Sequence, residues 1–452
     1  MEVGASLLVA TAVVDIVNPT SRRKRPLGLR LARLLTWLPI ATTYAAFYLG
    51  RYNLAAMNVP MVRGLLGVSE LQLGVVIAAG MWSYAVTAPV TGGLVSSLGG
   101  WKAFQLGAAG AGMANLCVLL VQAASPASGG WPLTIGLAVC YGVNLAFQGF
   151  GTTSALALIS TWYSPSERGL FSGIFNVWIN FGYLLALTSE VRIIKQLGWA
   201  WAFAAPGALL LFLACVLLLA QWHSPLTREC SNLKDTAALV EPPAVSWVEL
   251  FVSRTFIRYL VAISLLTWVR DGLVTWILSF LASNNLGSAD GTTWLDSAAI
   301  GRLPPPNDAI GLAIFFGGAA GGVALGAISD FCFAGDRRTP LLLFSLAQAS
   351  ALLALGPLPE PLALSPLSAC IVVAFTCFFT LGNYSLLCYG VPADLGERLA
   401  GVASGTMTCA QYLVSGLGGV VLGTLVSKWG YVSWWASLEL ATALQLLAIW
   451  LI

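Results

Sequence analysis

The sequence predicts an all-α integral membrane protein of twelve transmembrane helices, arranged as two pseudo-symmetric six-helix halves. Three observations lead there. The 452 residues are 58% hydrophobic and only 9% charged, against about 25% charged in a soluble domain; so few charges cannot cover a water-facing surface of this size. Apolar runs of about 20 residues recur along the whole chain, the length that crosses a bilayer as a helix, whereas a barrel shows alternating segments of about 10. Segments of the first half also return in the second, 219 to 233 residues later, including an arginine inside the first span and another inside the seventh.

Residues 1–34 read as a cytosolic tail. GASLLVATAVV is too short to span, and the basic cluster Arg22-Arg23-Lys24-Arg25 follows the apolar stretch, the reverse of a cleavable signal peptide. The first half, 35–221, holds spans near 35–59, 71–97, 103–124, 133–160, 169–189 and 200–221. Residues 222–255 form a polar cytosolic central loop containing Glu241-Pro242-Pro243. The second half, 256–452, holds spans near 256–283, 308–330, 339–357, 365–389, 400–426 and 431–452. With the N-terminus inside, fifteen Lys and Arg fall in inner loops and five in outer ones. That bias places both termini in the cytoplasm; it does not choose between the plasma membrane and an organelle membrane.

The repeat aligns GGLVSS (92–97) with GAISD (326–330), SERGLFSG (166–173) with GERLAGVASG (396–405), and Arg51 with Arg270. The smaller offset of the arginines fits an insertion in the long polar connection GSADGTTWLDSAAIGRLPPPN. Parallel six-span repeats with a site at the midplane between them resemble the plan of the major facilitator superfamily. The nine cysteines form no C-x-x-C pair and sit mostly in apolar segments, so they read as packing residues. The lone His223 reads as interfacial, and neither a metal nor a cofactor is expected.

A guanidinium deep in hydrocarbon costs about 2.5–3.5 kcal/mol on insertion scales, and Arg51 and Arg270 both sit there. Two arginines facing one cavity repel unless an anion lies between them, and Arg forks bind carboxylate or phosphate bidentately. A phosphate ester carries about −1.5 to −2 at neutral pH, which suits the pair. Water in the cavity and substrate charge are expected to offset the burial. An internal pair of Arg270 with Asp271 is disfavoured, because helix neighbours point about 100° apart. Tyr44 and Tyr48 share the helical face of Arg51. Gln148, Thr152 and Thr153 in the fourth span, and Asn176 and Asn180 one turn apart in the fifth, are further substrate candidates; packing is the competing reading for each. The glycines from 317 to 326 read as close helix packing.

At these residues the chain resembles the organophosphate:phosphate antiporter family of the major facilitator superfamily. YAAFYLGRYN (44–53) is similar to its first-helix Tyr-x-x-x-Tyr-x-x-Arg-x-Asn signature. FQGFGTTS with WYSPSERG (162–169) resembles its fourth-helix and following-loop signature, and GAISDFCFAGDRR (326–338) its eighth-to-ninth loop. The resemblance runs over nearly the whole chain. It implies that Arg51 and Arg270 bind phosphate with Tyr44, Tyr48, Gln148 and Tyr412 as partners, and that Asp330, Arg337, Glu167 and Arg168 serve the gating loops. Three positions depart from the pattern: Tyr52, where bacterial members often have lysine; Asp271, where they have tyrosine; and Ile179, where one has a substrate histidine. GGLVSSLGG lacks the usual loop aspartate and arginine, which implies a weaker cytoplasmic latch.

The function expected is secondary active exchange of inorganic phosphate and a phosphorylated metabolite by alternating access. Alternatives are a proton-coupled anion symporter with Asp271 as the titrating group, a carrier of another oxyanion, or a non-transporting sugar-phosphate sensor. A membrane enzyme is not expected, since no nucleophile–base constellation is present. The expected partners are a small anionic substrate and the lipid bilayer, without nucleic acid, and the protein is expected to be a monomer.

Overall fold

The computed structural model describes residues 9, 27–58, 60–125, 129–162, 165–222, 252–283, 306–333, 336–356, 366–394 and 396–452. Among them are twelve long helices: α1 (Leu27–Met57), α2 (Glu70–Leu98), α3 (Gly100–Ala124), α4 (Trp131–Trp162), α5 (Pro165–Leu197), α6 (Trp201–Trp222), α7 (Arg254–Ser283), α8 (Pro306–Ala327), α9 (Arg338–Leu355), α10 (Pro366–Ser385), α11 (Gly396–Trp429) and α12 (Tyr431–Trp450). Eleven are long and apolar enough to cross a membrane by length and composition. The remaining one is α1, whose run of apolar residues is broken by Tyr44, Tyr48, Arg51 and Tyr52.

The order of spans follows the sequence reading, with three local differences. α1 begins at Leu27, so the last eight residues assigned to the tail are helical. α8 and α10 each run on into a wider π-turn, at Ile328–Cys332 and Leu386–Gly390; an inserted residue of this kind leaves no mark in hydrophobic periodicity. A short helix, Pro60–Leu66, fills part of the first connection. Of the proposed central loop, Trp222 closes α6 and residues 223–251 lie outside the described residues.

Local chemistry sets the helix ends. Ser69 and Gln72 form a reciprocal capping box at the start of α2, with the Gln72 N–H donating to Ser69 Oγ at 3.2 Å and the Ser69 N–H to Gln72 Oε1 at 2.8 Å. The α2–α3 and α11–α12 turns each pivot on a glycine with positive φ, Gly99 at 82° and Gly430 at 70°, a backbone state that glycine enters without strain. At the start of α9, Asp336 accepts from the N–H groups of Arg338 and Thr339, both at 3.1 Å. The Thr339 side chain and these N–H groups hold its carboxyl below the usual carboxylate range.

Lipid-facing surfaces are apolar, with Val86, Leu120, Phe212 and Leu346 all exposed. α1 and α7 lie inside: Tyr44 to Asn58 are buried throughout. In the second half α8 packs on α10 so closely that a Cβ on Gly321 would stand 1.9 Å from the Phe378 carbonyl oxygen, as expected of the glycine cluster. The halves meet through α2 against α11, α5 against α8 and α1 against α7. Near the end of the bundle remote from the termini, a Cβ on Gly74 would stand 2.2 Å from the Gly419 carbonyl oxygen, and one on Gly419 2.7 Å from that of Gly74.

Two outcomes follow from this packing. Gly74→Ala sets a methyl group against the Gly419 backbone carbonyl of the other half, where no rotamer change gives relief. Overpacking of about 1–3 kcal/mol is expected to open this end, read as increased thiol labelling of a cysteine placed nearby, with the fold retained. Asp336→Ala is expected to cost about 0.5–2 kcal/mol as a lost cap, measured by thermal unfolding. Because the folded carboxyl titrates below the unfolded one, that stabilisation is complete above the ordinary carboxylate range. It disappears as pH falls through the lowered value, so wild type and variant converge in acid.

Candidate functional site

Arg51 projects from α1 into the interface between the halves and is 2% exposed. Its Nε donates to Gln148 Oε1 at 3.0 Å, and its Nη1 to the Tyr412 hydroxyl at 2.5 Å. The guanidinium carbon lies 4.9 Å from the ring centres of both Tyr48 and Tyr84 and 5.6 Å from that of Tyr412. Tyr84 and Tyr412 stack with centroids 3.9 Å apart, across the two halves. Each ring contributes about 0.5–2 kcal/mol and each charged hydrogen bond about 1.5–3 kcal/mol, together enough to offset a burial cost of about 2.5–3.5 kcal/mol. Protein groups, where the sequence suggested cavity water, therefore surround the guanidinium.

One face of α4 supplies most of the scaffold, because positions 141, 144, 148 and 152 fall at helical spacing. The Tyr141 hydroxyl donates to the Arg51 carbonyl at 2.6 Å, Asn144 Nδ2 to the Gly50 carbonyl at 2.9 Å, and Gln148 Nε2 to Asn144 Oδ1 at 3.0 Å. Thr152 shares hydrogen bonds with Tyr44 at 2.7 Å and Tyr84 at 3.1 Å. These bonds use α1 backbone oxygens near the arginine and fix where its side chain starts.

Arg270 occupies the matching place on α7 and is also 2% exposed. Here one expectation needs correction: Arg270 Nε donates to Asp271 Oδ1 at 2.7 Å, an ion pair between chain neighbours. The 100° separation of their Cα–Cβ directions does not prevent it, since the long arginine side chain bends back and meets the carboxylate through Nε. Ser415 donates to Asp271 Oδ2 at 2.5 Å, and Tyr52 donates to Oδ1 at 3.4 Å. Tyr183 donates in turn to Tyr52 at 3.0 Å. The guanidinium carbon of Arg270 lies 4.1 Å from the Tyr384 ring centre, at the end of α10 just before its π-turn. A cleft between α2, α7 and α11 reaches Asp271 and Ser415 and is also lined by Ile77, Trp268, Thr275 and Leu422.

The site thus joins Arg51, Tyr48, Gln148 and Tyr412 in one cluster and Arg270 with Asp271 in a second, and Tyr48 and Tyr52, stacked with centroids 5.6 Å apart, lie between them. Tyr44 stands one layer further along α1, against Tyr48 and Phe175, and backs the site without touching the guanidinium. Asn176 and Asn180 go elsewhere: Asn180 Nδ2 donates to the Asn176 carbonyl at 2.9 Å, and both side chains lie against the α8 glycines Gly318 and Gly322. Small residues on α8 let α5 approach, and the Asn180 Oδ1 facing them has no hydrogen-bond partner among the described residues. Ile179 is buried apolar core. In the eighth-to-ninth loop Arg337 donates to Ser329 Oγ at 2.8 Å; the side chains of Asp330, Glu167 and Arg168 lie outside the described residues.

Sequence reasoning missed Tyr84, Tyr141, Asn144, Tyr183, Tyr384 and Ser415. Ser415 had a signal, three residues after Tyr412 on one helical face; a tyrosine in an apolar helix carries none. It also missed Glu190 on α5, fully buried, with both carboxylate oxygens lacking a hydrogen-bond partner among the described residues. Tyr412→Phe removes the donor–acceptor link between Arg51 and the second half while leaving the ring stack. It is expected to lower the thermal stability of the ligand-free protein by about 1.5–3 kcal/mol, because a buried charged donor loses its acceptor, and to leave anion binding as tight or tighter in calorimetric titration, because the anion no longer displaces that hydroxyl.

The chain matches the family profile described as Major Facilitator Superfamily over residues 40–419. Among curated proteins it is similar to the membrane sensor protein UhpC of Salmonella typhimurium, 24% identical over 90% of this chain and 88% of that one. It is also 24% identical to a putative glycerol-3-phosphate transporter 2 of Arabidopsis thaliana, over 64% of this chain and 58% of that one. A probable sulfoacetate transporter, SauU, of Cupriavidus necator is 24% identical over 86% of both. Among solved structures, a bacterial homolog of the human lysosomal transporter Spinster superposes with a TM-score of 0.61 at 14% identity, covering 93% of this chain and 95% of that one; this likeness concerns the fold.

Proposed function

The chain belongs to the Major Facilitator Superfamily, and from that premise we propose that it exchanges phosphate or a phosphorylated metabolite across a membrane by alternating access. The observation that carries this reading is the pair of buried arginines, one from the first helix of each half, joined through tyrosines at the interface between the halves. An oxyanion between them would take hydrogen bonds from both guanidiniums and so hold the two halves together, as the Arg51–Tyr412 contact between α1 and α11 and the Tyr52–Asp271 contact between α1 and α7 do without it. Differential binding to one arrangement of the halves is what lets a ligand drive their movement. A relative named as a glycerol-3-phosphate transporter supports the phosphorylated class. Both termini facing the cytoplasm belong to this proposal.

A second reading, a non-transporting sensor of a phosphorylated ligand, is favoured by the likeness to UhpC over nearly the full length. Flux separates the two. Purified protein in liposomes is expected to take up labelled phosphate only when the vesicles are preloaded with phosphate. Arg51→Lys and Arg270→Lys are each expected to cut that uptake at least about tenfold, because lysine lacks the bidentate fork. Uptake into empty vesicles driven by an inward proton gradient would replace exchange by symport. Ligand-induced thermal stabilisation without any flux would establish the sensor.

A further inference from the structure

We propose that Asp271 is a built-in counter-ion that sets the charge of the ligand, so that the site takes a singly charged oxyanion in preference to a doubly charged one. The inference rests on the anion-binding reading above and deepens it.

Among the described residues, the buried charged side chains are Arg51, Arg63, Glu190, Arg270 and Asp271. Arg63 belongs to another place: it donates to Asn58 at 3.1 Å and pairs with Glu70 at 2.6 Å, near the start of α2. Glu190 lies two turns beyond Tyr183 on α5 and touches neither guanidinium. Three charges remain at the site, two positive and one negative, and they leave it one positive charge.

The carboxylate is held in that role. Oδ1 accepts from Arg270 Nε at 2.7 Å and from the Tyr52 hydroxyl at 3.4 Å, and Oδ2 from Ser415 at 2.5 Å. Three elements, α1, α7 and α11, supply these donors, so expelling the carboxylate would leave buried donors unpaired, which is costly. The titratable and charged groups around it are Tyr48 and Tyr52 from α1, Tyr183 from α5, Arg270 from α7, Tyr384 with Cys388 at the end of α10, and Tyr412 from α11. Arg51, in contrast, meets only neutral groups among the described residues, the acceptors Gln148 and Tyr412 and the faces of three tyrosine rings, and no carboxylate there compensates its charge. A monoanion makes the buried ensemble neutral. A dianion leaves a net negative charge in a medium that solvates it poorly.

Phosphate monoesters offer both states, with a second pKa of about 6. The test is calorimetric titration of the full-length protein in detergent with three probes. Glycerol 3-phosphate is mostly singly charged at about pH 5 and doubly charged at about pH 8; 2-hydroxyethanesulfonate is singly charged at both; sulfate is doubly charged at both. Wild type is expected to bind glycerol 3-phosphate at least about tenfold more tightly at the lower pH, the sulfonate equally at both, and sulfate weakly at both. Asp271→Asn is expected to reverse the order, with sulfate and the doubly charged ester gaining. The wild-type comparison decides the matter even if that variant does not fold.

Sulfate or the doubly charged ester bound as tightly as the singly charged ester would overturn the counter-ion role while leaving anion binding intact. Binding of the sulfonate without any binding of glycerol 3-phosphate would overturn the phosphoryl reading and leave the counter-ion role standing. No binding of any probe would overturn both.

Discussion

The whole arrangement depends on what it takes to keep the Arg51 guanidinium inside a bundle of apolar helices. It is 2% exposed, and among the described residues it has no acidic partner. Its charge is distributed over three tyrosine ring faces, an amide oxygen and a phenol. Satisfying it this way recruits α2, α4 and α11, and the stripe of polar residues on α4 exists in order to anchor the α1 backbone around it. Because one partner, Tyr412, belongs to the second half, the solvation of a single side chain also becomes a contact between halves.

The second half answers the same problem differently. Arg270 meets a carboxylate on the next residue, and that carboxylate reaches back across the interface to Tyr52. The contacts are reciprocal in direction: an N-half cation binds a C-half phenol, and a C-half anion accepts from an N-half phenol. Both break if the halves separate at this level, and under the proposed function an anionic ligand would take the place of Tyr412 at Arg51. Sequence-equivalent arginines therefore have unequal chemistry. Arg51 meets neutral partners, whereas Arg270 already carries a carboxylate. The backbone contact between Gly74 and Gly419 closes the halves along α2 and α11, so that site and closure lie in one continuous surface.

How much of this was legible depends on which signal each feature leaves. The helices were, because an apolar run of membrane length is hard to disguise, and so was the arginine pair, because a charge in such a run is conspicuous. Gln148 stands out as a polar residue in an apolar helix, and Tyr412 is pointed to only by the family resemblance. The Arg270–Asp271 pair was not, since reasoning from helical wheels treats side chains as spokes and ignores how far arginine can bend. Asn176 and Asn180 looked like ligands by composition, but α8 is glycine-rich opposite them, a relation that only tertiary packing reveals. Tyr84, Tyr141 and Tyr384 were indistinguishable from lipid-facing aromatics. The start of α1 at Leu27 was obscured by Arg30 and Arg33, which read as loop.

The central claim is that an anion binds between the two arginines while Asp271 keeps its place on Arg270. The measurement that tests it most directly is an experimental structure with a phosphate monoester bound near pH 5. The account requires phosphoryl oxygens within hydrogen-bond distance of both the Arg51 and the Arg270 guanidiniums, the Arg51–Tyr412 contact loosened, and the Arg270–Asp271 pair intact. Density for the ligand elsewhere in the bundle, or at one arginine with the other unchanged, would contradict it.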